Sequence, residues 1–254
     1  MTLAELLPAN IFAVMIVFVR TGSAIMLLPG FGDLYVPKRY RLLLALVFSG
    51  LIASALAPIL PALPGSPSGL AVMIAGEITI GVFLGSVARI LIGTLETAGM
   101  LISFQLGLSA AQVFNPTLSQ QSAIASSFLT VLGTLLILVT NTHYLLLRGI
   151  VGSYDLFPPG VFPAIEDLSN SVSRIIATSF QLSAELAAPF IVIGTVFFVA
   201  LGLLARLMPQ LQVFFVSLPV QIAGGLAVFA ATLYAIMHWF LDAFVQALSG
   251  ILIY

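Results

Sequence analysis

Four charged side chains stand within or at the ends of otherwise apolar stretches: Arg20, Glu77, Arg89 and Glu96. Carrying any one of them to the centre of a bilayer costs about 2.5–3.5 kcal/mol on insertion scales. Each therefore needs a partner, or belongs to a path for protons or ions. Glu77 is the candidate for such a path. The structural alternative asks only that packing satisfy its charge, and the lack of a second intramembrane acid beside it favours that alternative. Arg89 and Glu96 share a helix face but lie roughly 10 Å apart along it, too far to pair in a straight helix. Their partners must come from other helices or other chains. Other chemistry is missing. With no cysteine there are no thiol nucleophiles, disulfides or thiolate metal sites. His143 and His238 lie far apart and neither sits in an H-E-x-x-H pattern. The one lysine, Lys38, follows Pro37 instead of closing a phosphate-binding loop. No spacing of Ser, His and Asp assembles a nucleophile with a base, so the sequence reads as a non-enzyme with no cofactor.

The elements that position these charges are membrane elements. The chain has 254 residues, 61% hydrophobic and 7% charged, with a mean hydropathy of +1.20. A soluble domain is about 25% charged, so a water-soluble monomer is excluded. Eight basic and nine acidic residues give a net charge of −1, which leaves no footprint for nucleic acid. Glu5 stands where a signal peptide would carry basic residues, so the first apolar run is expected to be retained.

Six apolar stretches approach or exceed the roughly 20 residues that span a bilayer: residues 11–28, 42–60, 70–95, 123–147, 175–204 and 213–254. The last contains Pro219, Gly224 and Gly225 and is expected to be broken or tilted. The expected fold is all-α and polytopic, a single domain over residues 1–254. Lys38, Arg39 and Arg41 mark a basic cytoplasmic loop by the positive-inside rule, which sets the N-terminus outside and, by alternation, Arg206 inside. Gly81 and Gly85 form a G-x-x-x-G pair that allows close helix approach.

Four patterns are too irregular for plain spanning helices: residues 20–32, 107–117, 143–160 and 205–221. Irregular backbone at membrane depth survives only where protein or a water-filled cavity covers it, which suggests an assembly with an internal passage. Taken together and in order, the four patterns resemble the FliR/SctT family of type III export-gate proteins, flagellar and injectisome members alike. The resemblance covers essentially the whole chain and is best with the flagellar branch.

That resemblance implies an export gate built with FliP and FliQ, on which FlhB assembles, in the bacterial inner membrane within the flagellar basal body. Unfolded export substrates pass through it, and membrane lipid surrounds it. It implies a FliP-like part over about residues 1–174 and a FliQ-like helical hairpin over about 175–254, packed with sister subunits into a tilted cone. Much of that cone is raised out of the bilayer plane, so that the apolar stretches bury against sister subunits rather than lipid. The six stretches need not be six bilayer crossings. Arg20, Glu77 and Arg89 are then expected at subunit interfaces. Arg206, Met208, Pro209, Gln210, Gln212 and Gln221 belong to a cytoplasmic turn that meets a partner, their amides suited to bridging backbones.

In related gates a loop at the place of residues 107–121 serves as the plug. The chemistry here suits that role. The stretch is uncharged, so closure strands no ion in low dielectric. Gly107 and Pro116 interrupt helix. Phe114 supplies bulk, while Ser109, Gln112, Asn115 and Thr117 can satisfy backbone groups. A secondary transporter for a small solute is the competing expectation. Its sign would be paired interrupted segments in corresponding halves, and the sequence has no convincing internal symmetry.

Overall fold

The computed structural model of the chain describes residues 3–108, 124–208 and 213–252, with side-chain environments for 11–108, 124–208 and 217–250. Its described residues form seven helices and no strand: α1 (Leu3–Leu27), α2 (Lys38–Leu56), α3 (Pro67–Gln105), α4 (Ile124–Val139), α5 (His143–Leu156), α6 (Ile165–Leu207) and α7 (Val213–Leu252). The fold is that of a polytopic helical membrane protein. Four helices are long and apolar enough to cross a membrane, and a fifth span arises if α4 and α5 count as one bent crossing. Residues 11–27 form a shorter apolar helix.

Two helices exceed their apolar stretches. The 39 residues of α3 and 43 of α6 extend about 58–65 Å, twice the roughly 30 Å hydrocarbon layer. Hydropathy finds the apolar middle of such a helix and misses its polar ends. In α6 the first turn carries Glu166 and Asp167, favourable at the positive end of the helix dipole but invisible to an apolar scan.

Two expectations need correction. The stretch 123–147 is not one helix but two, broken at residues 140–142 and sharply bent. Asn141 there has φ +61, a left-handed conformation that asparagine tolerates, and the Thr140 and Thr142 hydroxyls meet at 2.8 Å. Conversely, of the break or tilt expected in the last stretch, the break is absent: α7 is continuous. It runs through Pro219, seventh in the helix, at the loss of one backbone hydrogen bond. Gly225 serves packing instead: a Cβ there would lie 2.3 Å from Leu106 Cδ2.

The described chain divides into two compact units. One comprises Met1–Leu91, Ile137–Ile176 and Val245–Tyr254; the other, Ile92–Leu136 and Ala177–Phe244. In the first, Phe12, Ile16 and Met73 form one apolar cluster, and Val17, Ala53, Leu56 and Tyr154 form another. Helix α2 packs there through Ala45, Ser49, Ala53 and Leu56. Small residues face inward and large leucines outward, the pattern of a helix whose outer face meets lipid or another subunit. In the second unit, Phe240 and Phe244 are fully buried with ring centroids 5.7 Å apart. Gly99 lets α3 approach α4 so closely that a Cβ would fall 2.3 Å from Ser126 Cα.

Candidate functional site: a saturated buried arginine and a stitched basic turn

Small residues on α1 and α3 bring two charges together. Glu77, Gly81 and Gly85 recur at four-residue spacing and so share a face of α3. A Cβ at Gly81 would lie 1.9 Å from Ser23 Oγ and 2.3 Å from the Arg20 carbonyl oxygen; one at Gly85 would lie 2.6 Å from Leu27 Cβ. At that closeness Arg20 and Glu77 meet. Arg20 Nε donates to Glu77 Oε2 at 2.6 Å and Nη2 donates to Oε1 at 3.1 Å. The side chains are 0% and 1% exposed.

Arg20 also closes the end of α5. Its Nη1 donates to the Ser153 carbonyl at 3.2 Å and the Ser153 hydroxyl at 3.3 Å, and Nη2 donates to the Phe157 carbonyl at 3.0 Å. These five contacts use all five guanidinium hydrogens. The Ser153 carbonyl lies in the last turn of α5 and also accepts from the N–H of Phe157, the residue that caps the helix, at 2.8 Å; at this end the dipole favours a cation. The guanidinium carbon also lies 3.9 Å from the centroid of the Tyr154 ring. Arg20 and Glu77 thus find partners inside the chain, where the sequence resemblance implied subunit interfaces. The reason is the glycine face, which removes the distance between α1 and α3.

Arg89 pairs neither with Glu96 nor with a distant helix. Its Nη1 donates to Asp33 Oδ1 at 2.5 Å, in the turn between α1 and α2. Burial opposes ionisation of Asp33, but hydrogen bonds from the Tyr35 hydroxyl, Arg89 and the Gly30 N–H, with the Arg89 charge, hold its carboxyl below the ordinary 3.8. Arg41 stitches the same turn, donating to the carbonyls of Val36, Gly32 and Asp33 at 2.6–2.9 Å. Lys38 and Arg39 are exposed. Glu96 is exposed too; its carbonyl accepts from the Ser126 hydroxyl at 3.0 Å.

Of the expected gate residues, Gly107 is described, with φ +73; Ser109, Gln112, Phe114, Asn115, Pro116 and Thr117 lie outside the described residues. Gln221 reaches the end of α3, its Nε2 donating to the Gln105 carbonyl at 2.9 Å, and its amide carbon is 3.1 Å from where a Gly107 Cβ would be. Arg206 and Met208 are exposed, and Pro209, Gln210 and Gln212 lie outside the described residues.

Sequence reading singled out neither Asp33 nor Tyr35, and placed Ser153 and Tyr154 in the irregular pattern 143–160 without a role. Asp33 had a signal, a lone acid four residues before Pro37 and the three cations Lys38, Arg39 and Arg41. Ser153 and the Phe157 carbonyl had none, because a backbone acceptor leaves no mark in the sequence.

The profile for bacterial export proteins, family 1, matches residues 11–247. The chain is similar to "Flagellar biosynthetic protein FliR" of Caulobacter vibrioides, 36% identical over 244 residues that cover 94% of this chain and 96% of the relative. It is 30% identical over 224 residues to the protein of that name in Bacillus subtilis, with 83% and 82% covered. It is 28% identical over 190 residues to "Yop proteins translocation protein T" of Yersinia pestis, with 70% and 71% covered. With its profile matched almost from end to end and a FliR protein 36% identical and covered over 96% of its length, this polytopic chain belongs to the bacterial export proteins, family 1, together with the FliR proteins.

Proposed function

We propose that the chain is a structural and gating subunit of the flagellar type III export channel in the bacterial inner membrane, where it assembles with FliP and FliQ, meets FlhB and passes unfolded flagellar proteins. The observation that carries the reading is the end-to-end likeness to the Caulobacter FliR protein, 96% of which is covered. The small-solute transporter has no comparable support. The reading makes the chain a scaffold and a valve, not an enzyme: the Arg20–Glu77 contact braces α1, α3 and α5, and the stretch opening at Gly107 closes the bore. Residues 1–174 take the FliP-like role and 175–254 the FliQ-like role. In the second part, the turn around Arg206, Met208, Pro209, Gln210 and Gln212 faces the cytoplasmic entrance.

The test is genetic and biochemical. Deleting the gene should abolish filament formation and export of flagellar proteins, and the intact chain should restore both; normal export in the deletion strain overturns the reading. The purified chain should carry FliP and FliQ in fixed ratio, and a cross-linker at Met208 or Gln210 should capture FlhB. Repeated failure in an assembled complex removes the turn from that contact.

A further inference from the structure

Within the second unit, α6 and α7 part around a cavity of about 180 Å³. Its walls are apolar, with Phe190 and Phe197 from α6 and Val220 and Val228 from α7. The end of α3 closes one side. Gln105 packs so tightly on Gly194 of α6 that a Cβ there would lie 2.3 Å from Gln105 Oε1, and Leu106 packs as closely on Gly225 of α7. The Phe190 and Phe229 rings join the two helices again, with centroids 6.1 Å apart. These contacts fix the helix separation, so the space is held open.

Two things are missing from this cavity. The first is apolar volume. A void of this size forfeits the packing of its lining, and an engineered apolar one of about 150 Å³ takes up benzene and not water. The second is a hydrogen-bond donor. Gln105 Oε1 is buried and has no partner among the described residues. Gln221, the other amide of the lining, already spends its Nε2 on the Gln105 carbonyl at 2.9 Å. The terminal torsion of glutamine is soft, so the Gln105 amide can turn its oxygen toward a donor that enters.

The mouth shows where such a donor comes from. Val220 is 61% exposed there and Ile193 46%, apolar lips on a chain whose apolar stretches the family resemblance sets against sister subunits. No tyrosine or tryptophan lines the cavity among the described residues. An aromatic ring with a single donor meets both needs at once. Tyrosine and tryptophan are the side chains that fill such pockets at interfaces, the ring buried and the O–H or N–H bonded.

We propose that this cavity is a socket for a tyrosine or tryptophan side chain of a neighbouring subunit, its ring packed among Phe190, Phe197 and Val228 and its donor bonded to Gln105 Oε1. The site rests on the reading of the chain as one subunit of an export assembly.

Three measurements on the assembled complex test this. An electron cryo-microscopy structure should show the ring in the cavity, its donor within about 3.2 Å of the Gln105 amide oxygen. Water alone, a small molecule or a residue of this same chain in that place overturns the socket. Gly224 lines the cavity, is exposed, and has nothing within 4 Å of an added Cβ, so Gly224→Phe fills the space without straining α7. Co-expressed with a differently tagged wild-type chain, it should enter complexes at least about tenfold less often, since an anchoring ring is worth about thirtyfold or more in affinity. Gly224→Ala should compete evenly. Even competition by Gly224→Phe overturns the proposal. Gln105→Met keeps the shape and removes the acceptor, and should lower entry about threefold to tenfold. An even ratio would mean that no donor enters, which overturns the assignment to tyrosine or tryptophan. If Gly224→Phe fails to accumulate, the structure and Gln105→Met still decide. Recovery of the wild-type chain with FliP and FliQ tests the export reading, so a complex that forms around an empty cavity defeats the socket alone.

Discussion

Arg20 and Glu77 meet through two roughly parallel hydrogen bonds, 2.6 and 3.1 Å long, across 57 residues of sequence and with almost no exposure to solvent. A buried pair is weak evidence for net stability, because desolvating two ions offsets most of their attraction, but breaking one side leaves an unpaired charge. The remaining Arg20 hydrogens close the C-terminal turn of α5. The loss of one partner therefore reaches three helices.

Glu77→Gln is expected to destabilise the fold by about 3–5 kcal/mol, because glutamine keeps an acceptor but leaves the guanidinium charge uncompensated. Assembly should fail before transport does. Recovery of complex after graded heating measures it, and Arg20→Met with Glu77→Met should recover more complex than Glu77→Gln alone. An intact complex with lost export would make Glu77 a conduction residue instead.

Gly81→Ala is expected to cost about 1–3 kcal/mol by overpacking, since its Cβ would strike Ser23 Oγ and the Arg20 carbonyl, and α1 can clear it only by pulling Arg20 away from Glu77. Gly50→Ala, on the open side of α2 with nothing within 4 Å, should gain up to about 1 kcal/mol of helix propensity. Thermal unfolding of the two variants in one detergent compares them directly. Equal effects would remove the close-approach argument.

The contrast between these glycines marks how far the sequence could be read. The G-x-x-x-G spacing and the cost of each buried charge were legible, because both depend on residue type and local register. That Arg20 pairs with Glu77 was not. Four cations other than Arg20 precede residue 100, and nothing local says which helix faces which. Arg89 shows the same limit: spacing along one helix ruled out Glu96 and called for a partner elsewhere, but nothing local named Asp33, which lies in the turn between α1 and α2. Arg41 read only as one of three cations marking a basic loop; that it bonds three carbonyls of that loop left no mark in the sequence. The break at Asn141 was hidden because apolar residues continue on both sides of it.

The Asp33 turn has a pH dependence of defined sign. Its folded pKa lies below the ordinary 3.8, so the carboxylate's contribution is fully present above 3.8 and is lost as pH falls through the lower folded value. Its size is about 0–1 kcal/mol, because Arg89 is more than half exposed and screened. Hydrogen exchange of the amides of residues 30–36 should stay flat from about pH 5 to 8, after correction for intrinsic rates, and lose protection only in stronger acid. Asp33→Asn should remove that acid step, leaving protection low throughout.

The gate is the prediction with the largest consequence. On the proposed function a channel for unfolded protein must hold back ions while idle, and the uncharged stretch 107–121 would do so without stranding a charge in low dielectric. Gly107 starts that stretch with φ +73, a conformation that costs about 1 kcal/mol or more with a side chain, beside the Gln221 amide that bonds the last carbonyl of α3. Two variants test the Gly107 turn and the proposed plug separately. Gly107→Ala should weaken the turn, crowding Gln221 at 3.1 Å, and raise idle ion conductance modestly in reconstituted membranes. Deleting residues 110–117 should leave the complex assembled, with FliP and FliQ retained, while making it leaky to small ions in a planar-bilayer recording. A deletion complex that stays tight would mean that another segment closes the bore, whereas one that never assembles would make the stretch a structural connector.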